Sequence, residues 1–178
     1  MVIKSAKQKV RHFLICQQNW RPAKKEQRGI FAVGFSKTFI QNRLLFQIEK
    51  ALYDRKIDKK LAEKFENFFK ELPSIFPQEK SSLIHGDLWT GNVMVNESGL
   101  ATLVDPTCYY GFREADIAFS TMFGGFEEEF YKTYNEHFPL EKGFHARIPY
   151  YNLYPLLVHV NLFGEGYIPT IETILKPF

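Results

Sequence analysis

Two short β-prone runs, Val93-Met94-Val95 and Leu100-Ala101-Thr102-Leu103-Val104, are separated by the four residues Asn96-Glu97-Ser98-Gly99. The turn ends in a glycine free to take positive φ, so the runs read as an antiparallel hairpin. No other feature constrains the fold as tightly, because most of the remaining pattern is helical. The hairpin therefore has to sit in a helical lobe, and the chain is expected to be α+β and mainly helical. Both ends of the hairpin carry polar residues that a purely structural hairpin does not need.

Upstream, Phe39, Ile40, Leu44, Leu45, Ile48, Ala51 and Leu52 recur at helical spacing, which predicts an amphipathic helix from Ser36 to about Tyr53. Asp58 is placed to cap a second helix with apolar positions Leu61, Ala62, Phe65, Phe68, Phe69 and Leu72. Pro73 and Pro77 are expected to bound its end. Downstream, Arg113–Phe123 and Glu127–Phe138 read as helices. A long apolar segment from Arg147 to Phe163 is expected to be interrupted by Pro149 and Pro155, and Thr170 to begin a last short helix. Phe occurs 18 times and Tyr 9 times, which fits a core dominated by aromatic packing.

The polar residues around the hairpin form an ordered set. His85-Gly86-Asp87-Leu88-Trp89-Thr90-Gly91-Asn92 precedes it, and Asp105-Pro106 follows it. Phosphoryl transfer needs these groups: a carboxylate to take or orient the proton of an attacking hydroxyl, and a second carboxylate with an amide oxygen to hold Mg²⁺ against nucleotide phosphates. A tight hairpin brings Asn92 and Asp105 together because they flank its strands, with Asp87 on the loop just before. The alternative is an Asp/Asn-rich loop serving only turns and caps. It does not account for a second Asp eighteen residues after the first across a hairpin.

The order resembles the catalytic loop and metal-binding Asp of protein kinases, with two departures. His-Gly-Asp stands in place of His-Arg-Asp, so no Arg is present to read a phosphorylated activation loop. Asp-Pro stands in place of Asp-Phe-Gly, so no Phe is available as a switch. Both departures point to a small-molecule kinase. More specifically, His85–Asn92 resembles the His-Gly-Asp-Leu-Trp-Ser-Gly-Asn signature of the fructosamine (ketosamine) kinase family. Tyr109–Asp116, Phe123-Gly124-Gly125-Phe126, Tyr151–Tyr154, Asn161–Tyr167 and Phe39–Leu44 are also similar to segments of that family.

The resemblance implies a protein-kinase-like fold and phosphorylation of a ketosamine sugar hydroxyl at O3, with ATP and Mg²⁺ as cofactors, in deglycation repair. It implies that Asp87 is the catalytic base and that Asn92 and Asp105 bind Mg²⁺. Trp89 would offer a flat face to the sugar or its amine-bearing carrier, a buried structural Trp being the alternative. His85 would brace the loop and Asp116 would hold it through backbone hydrogen bonds. An ion pair from Arg113 or Glu114 is also expected. The substrate would be a small ketosamine or a glycated protein. An aminoglycoside- or choline-type phosphotransferase is the nearest rival, and a non-catalytic kinase-fold binding module the rival from another class.

The likeness covers residues 36–178, read as the C-terminal lobe. Residues 1–35 read as a basic leader or a remnant of an inter-lobe linker. They hold no glycine-rich loop or strand Lys, so the N-terminal lobe is expected to be missing, leaving an exposed lobe interface open to association. Residues 1–28 carry eight Lys/Arg against one acid, whereas the rest carries fifteen basic and nineteen acidic side chains. No aromatic-interleaved basic stripe is present, so a nucleic-acid partner is not expected. No apolar run approaches the roughly 18 residues of a membrane span. Cys16 and Cys108 lack metal-ligand spacing and are expected to be reduced thiols, and the location is expected to be cytoplasmic.

Overall fold

The structure, a computed structural model, describes residues 39–178. Cys16, the basic stretch 1–28 and the leader or linker 1–35 lie outside the described residues. In chain order, a π-helical turn (Ile40–Leu45) runs into α1 (Phe46–Tyr53), followed by α2 (Lys59–Ile75), β1 (Ser82–Ile84), β2 (Val93–Val95), β3 (Ala101–Leu103) and β4 (Tyr109–Gly111). Four helices complete the order: α3 (Arg113–Ser120), α4 (Glu128–His137), α5 (Phe144–Phe163) and α6 (Ile168–Ile174). The chain is α+β and mainly helical, as its sequence predicts. Its described residues divide into two compact units, a strand-bearing unit Ser81–Phe144 and a helical unit of residues 39–80 with His145–Phe178.

The helical unit is built on aromatic packing. Leu61, Phe65, Phe68 and Leu72 fall on one face of α2 and are all buried. Asp58 caps that helix as expected, its Oδ1 accepting from the Leu61 N–H at 2.8 Å. Phe76 stacks on Tyr151 with ring centroids 4.4 Å apart, and Phe39 meets Phe76 edge-on at 5.9 Å. Phe68 stacks on Tyr150 and takes the edge of Phe178. Two lysines close helix ends. Lys56 Nζ donates to the carbonyls of Val160 (3.3 Å) and Asn161 (2.7 Å), and Lys64 Nζ to that of Leu175 (3.1 Å). Cations are favoured there because the carbonyl end of a helix carries partial negative charge.

Pro77 follows the end of α2 as expected, but the other three prolines expected to end or interrupt helices lie inside them. Pro73 lies inside α2, which continues to Ile75, and α5 runs unbroken through Pro149 and Pro155. Each proline removes one helical donor at a cost of about 3 kcal/mol. Burial offsets that cost in α5, where Tyr151, Leu153, Leu156, Leu157 and Val160 are all withdrawn from solvent.

The strand-bearing unit contains two antiparallel pairs. In the first, Val93 faces Leu103, Met94 faces Thr102 and Val95 faces Ala101. Gly99 closes its turn at φ +75°, donating its N–H to the Asn96 carbonyl at 2.8 Å. Asn96 Oδ1 also accepts from the N–H groups of Ser98 and Leu100. The second pair, β1 with β4, was not anticipated. Ser82 faces Gly111, Leu83 faces Tyr110 and Ile84 faces Tyr109. Three residues are too few to show alternation, so the pattern carries no signal. Gly111 lets the strands approach, since a Cβ there would lie 2.7 Å from Ile84 Cδ1.

Candidate active site

Every sequence-predicted site residue lies in the strand-bearing unit. The hairpin does what its position suggests: the Val104 N–H donates to the Asn92 carbonyl at 3.0 Å, continuing the β2–β3 ladder to its polar end. Asp105 follows immediately and adopts a left-handed backbone with φ +51°. Such a conformation costs a non-glycine residue roughly 1–2 kcal/mol, with Asp among the residues that tolerate it best. Its carboxylate is exposed and has no hydrogen-bond partner among the described residues.

Asn92 is buried and its amide nitrogen is committed to Asp87. It donates to the Asp87 carboxylate Oδ2 at 2.8 Å and to the Asp87 main-chain carbonyl at 2.9 Å. Both partners are acceptors, so the nitrogen must face them. The amide Oδ1 then points away and has no hydrogen-bond partner among the described residues. One side chain thus fixes the direction of the Asp87 carboxylate and presents an oxygen of its own.

His85 and Asp116 hold the loop. Asp116 is buried, its two carboxylate oxygens accepting from the N–H groups of His85 (2.6 Å) and Gly86 (2.8 Å). Burial pushes its pKa up to about 7, against the pull of those two amides, and the nearby charge of Asp87 pushes the same way. His85 Nε2–H donates to the Val104 carbonyl at 3.0 Å, and Nδ1 accepts from the Asp87 N–H at 3.3 Å. This pattern requires the neutral ring, and burial lowers the His85 pKa below 6.5. The hydrogen bond to Val104 and the charges of Asp87 and Asp105 oppose that shift. His85 therefore braces β3 against the loop.

Trp89 is partly open to solvent, with 37% of its surface exposed. Its indole folds over Gly91, where an added Cβ would collide with the ring carbons Cζ2 and Cη2. It meets Phe123 edge-to-face at 6.1 Å and 68°. The exposure argues against Trp89 as a fully buried structural residue.

Thr107 carried no sequence signal of its own. Gly86 takes φ +81°, and a Cβ there would collide with Thr107 Oγ1. Thr107 in turn donates its N–H to the His85 carbonyl at 2.9 Å. A lone threonine announces neither contact. Arg113, read as a partner in an ion pair, donates to the carbonyls of Phe138 (3.0 Å) and Pro139 (2.6 Å) and lies 3.9 Å from the Phe138 ring centroid. Glu114 Oε1 accepts from the Glu141 N–H at 3.2 Å. Cys108 is an exposed free thiol.

Comparison with known proteins bears on this arrangement. The family model described as fructosamine kinase matches residues 16–178. The chain belongs to the fructosamine kinase family. It is 41% identical over 154 residues to the probable ketoamine kinase of Enterococcus faecium, covering 85% of this chain and 56% of that protein. It is 35% identical over 142 residues to the chloroplastic protein-ribulosamine 3-kinase of rice, covering 79% of this chain and 41% of that one. A crystal structure of a candidate fructosamine-3-kinase from Thermobifida fusca superposes with a TM-score of 0.84 at 26% identity, covering 99% of this chain and 65% of that chain. The chain thus spans about half the length of these curated relatives, and its fold is that of a kinase-like lobe of the fructosamine kinase family. No helix among the described residues is long and apolar enough to cross a membrane.

Proposed function

We propose that residues 36–178 form the catalytic lobe of a kinase that transfers the γ-phosphoryl group of ATP to a ketosamine hydroxyl, at O3 of a fructosamine or ribulosamine. The observation that carries the reading is the double hydrogen bond from Asn92 to Asp87. Asp87 is the general base. Its carboxylate is oriented before substrate arrives, and it takes the proton of the attacking hydroxyl as the phosphoryl group is transferred. Orientation matters because proton acceptors act only within hydrogen-bond reach of the group they serve.

The donor set fits Mg²⁺. This cation prefers oxygen ligands and is commonly held by one or two carboxylates together with substrate phosphates. Asn92 Oδ1 and the Asp105 carboxylate would hold it. When bound, Mg²⁺ supplies charge neutralisation at the phosphates. The chain's own residues do the rest. Asp116 fixes the His85-Gly86 amides, His85 ties Val104 to the loop, and Trp89 presents an apolar face to the sugar. The substrate is a small ketosamine or a glycated protein side chain.

The test is ketosamine-dependent ATP consumption by the purified chain with Mg²⁺, beside Asp87→Asn. Turnover that vanishes in the variant supports the reading. Turnover with aminoglycosides or choline but not with ketosamines would replace the substrate class. Mg-ATP binding without turnover on any of these would reduce the chain to a binding module.

A further inference from the structure

Trp89 is held by a construction that reaches well beyond the signature motif. Its edge-to-face partner Phe123 packs in turn on the buried Phe119 of α3, at 5.9 Å and 78°. Trp89 and Phe123 are 37% and 41% exposed, so together they form an open aromatic corner. Phe123 stands on the connection between α3 and α4, where Gly124 and Gly125 take φ of +87° and +74°. Two consecutive glycines leave a connection with wide backbone freedom. Something has to fix it if Phe123 is to fix Trp89.

The hydroxyl of Tyr131 on α4 does so, and its hydrogen bonds have one direction. The Phe126 N–H donates to the Tyr131 oxygen at 3.0 Å. Ser120 Oγ–H donates to the Ile117 carbonyl at 2.7 Å, which uses its single proton. At the 3.1 Å contact between the Tyr131 and Ser120 hydroxyls, Tyr131 must therefore be the donor. The chain of donation runs from Phe126 N–H through Tyr131 and Ser120 to the end of α3. It ties the far side of the glycine pair back to the helix that carries Phe119. The Tyr131 ring is placed independently of its hydroxyl, meeting Phe130 edge-on at 5.2 Å.

We propose that Tyr131 is a positioning residue which, through the 121–126 connection and Phe123, fixes the Trp89 indole for the apolar face of the substrate. The mechanical part stands on the geometry alone, and the substrate part rests on the ketosamine reading. Tyr131→Phe keeps the ring and removes only the hydroxyl. Phe123→Leu, at a partly exposed position, removes the brace without disturbing the relay.

The experiment uses the full chain with Trp20→Phe, so that Trp89 is the sole tryptophan and is excited selectively over the tyrosines. Acrylamide quenching and fluorescence anisotropy report the freedom of Trp89, and fructosyl-lysine is titrated by the same signal. In both variants, quenching is expected to rise and anisotropy to fall. Fructosyl-lysine affinity is expected to weaken about three- to tenfold, the scale of one lost hydrogen bond, with Mg-ATP affinity unchanged. Quenching and anisotropy at parental values in Tyr131→Phe would overturn the proposal, whatever the ligand does. A loosened Trp89 in a chain that binds no fructosyl-lysine would leave the positioning role standing and remove the ketosamine reading.

Discussion

Phe68 in the helical unit and Asp116 in the strand-bearing unit are almost equally buried, at 0% and 1% exposure. They are buried for opposite reasons. Phe68 is surrounded by rings, and its environment would accept many apolar side chains of similar volume. Asp116 is a carboxylate withdrawn from water in order to accept from two particular amides. The first arrangement supplies stability by area. The second gives up some stability to fix the path of a loop. One unit is thus a packing problem and the other a hydrogen-bonding problem, and mutations should separate them.

The sharpest separation is expected at Asp87, the proposed general base. Asp87→Asn is expected to reduce turnover about 10²–10⁴-fold, the usual worth of a general base, while the unfolding midpoint stays near the parental value. A large fall in that midpoint would mean that Asp87 serves the fold rather than the chemistry. Phe68→Ala should do the reverse, costing about 3–5 kcal/mol by urea unfolding as a large cavity opens. A loss below about 1 kcal/mol would show that the aromatic cluster collapses to fill the space.

Asp116→Asn should fall between these, costing about 1–3 kcal/mol because one amide N–H is left facing another donor. Its pH signature is more diagnostic. Between 3.8 and about 7 the folded chain keeps a proton on Asp116 that the unfolded chain has released. This contribution to stability therefore falls as pH rises through that window. His85 acts with the opposite sign. Its pKa is lowered from 6.5, so its contribution is lost as pH falls below that value. Unfolding free energies measured from pH 4 to 8 should lose the Asp116 component in Asp116→Asn and the His85 component in His85→Gln. An unchanged profile in both would remove these groups from the pH dependence. The smallest effect is expected at Asp58→Ala, about 1 kcal/mol from the lost α2 cap, read by thermal unfolding with turnover unchanged.

The same contrast explains what the sequence made legible. The helical unit was readable because Leu61, Phe65, Phe68 and Leu72 repeat at helical spacing, and Asp58 stands where a cap belongs. Its prolines misled, since local propensity at Pro73, Pro149 and Pro155 yields to burial that only the folded chain supplies. In the strand-bearing unit the hairpin was legible from its turn glycine, and the order of Asp87, Asn92 and Asp105 from the spacing that phosphoryl transfer would require. Their supports were not. The β1–β4 pair is too short to show a period. Thr107 and Tyr131 act through single atoms that composition and spacing do not register.

The β1–β4 pair has one more consequence. Because Ile84 faces Tyr109, the chain leaves this ladder at His85 and returns to it at Cys108, with its two ends about 5 Å apart. Topologically, residues 85–108 form a cassette plugged into a two-strand socket. His85, Asp87, Trp89, Asn92 and Asp105 all travel inside it, and Asp116 clasps it from outside. The hairpin tip around Gly99, where an added Cβ would meet nothing within 4 Å, can therefore be lengthened or trimmed without altering the socket.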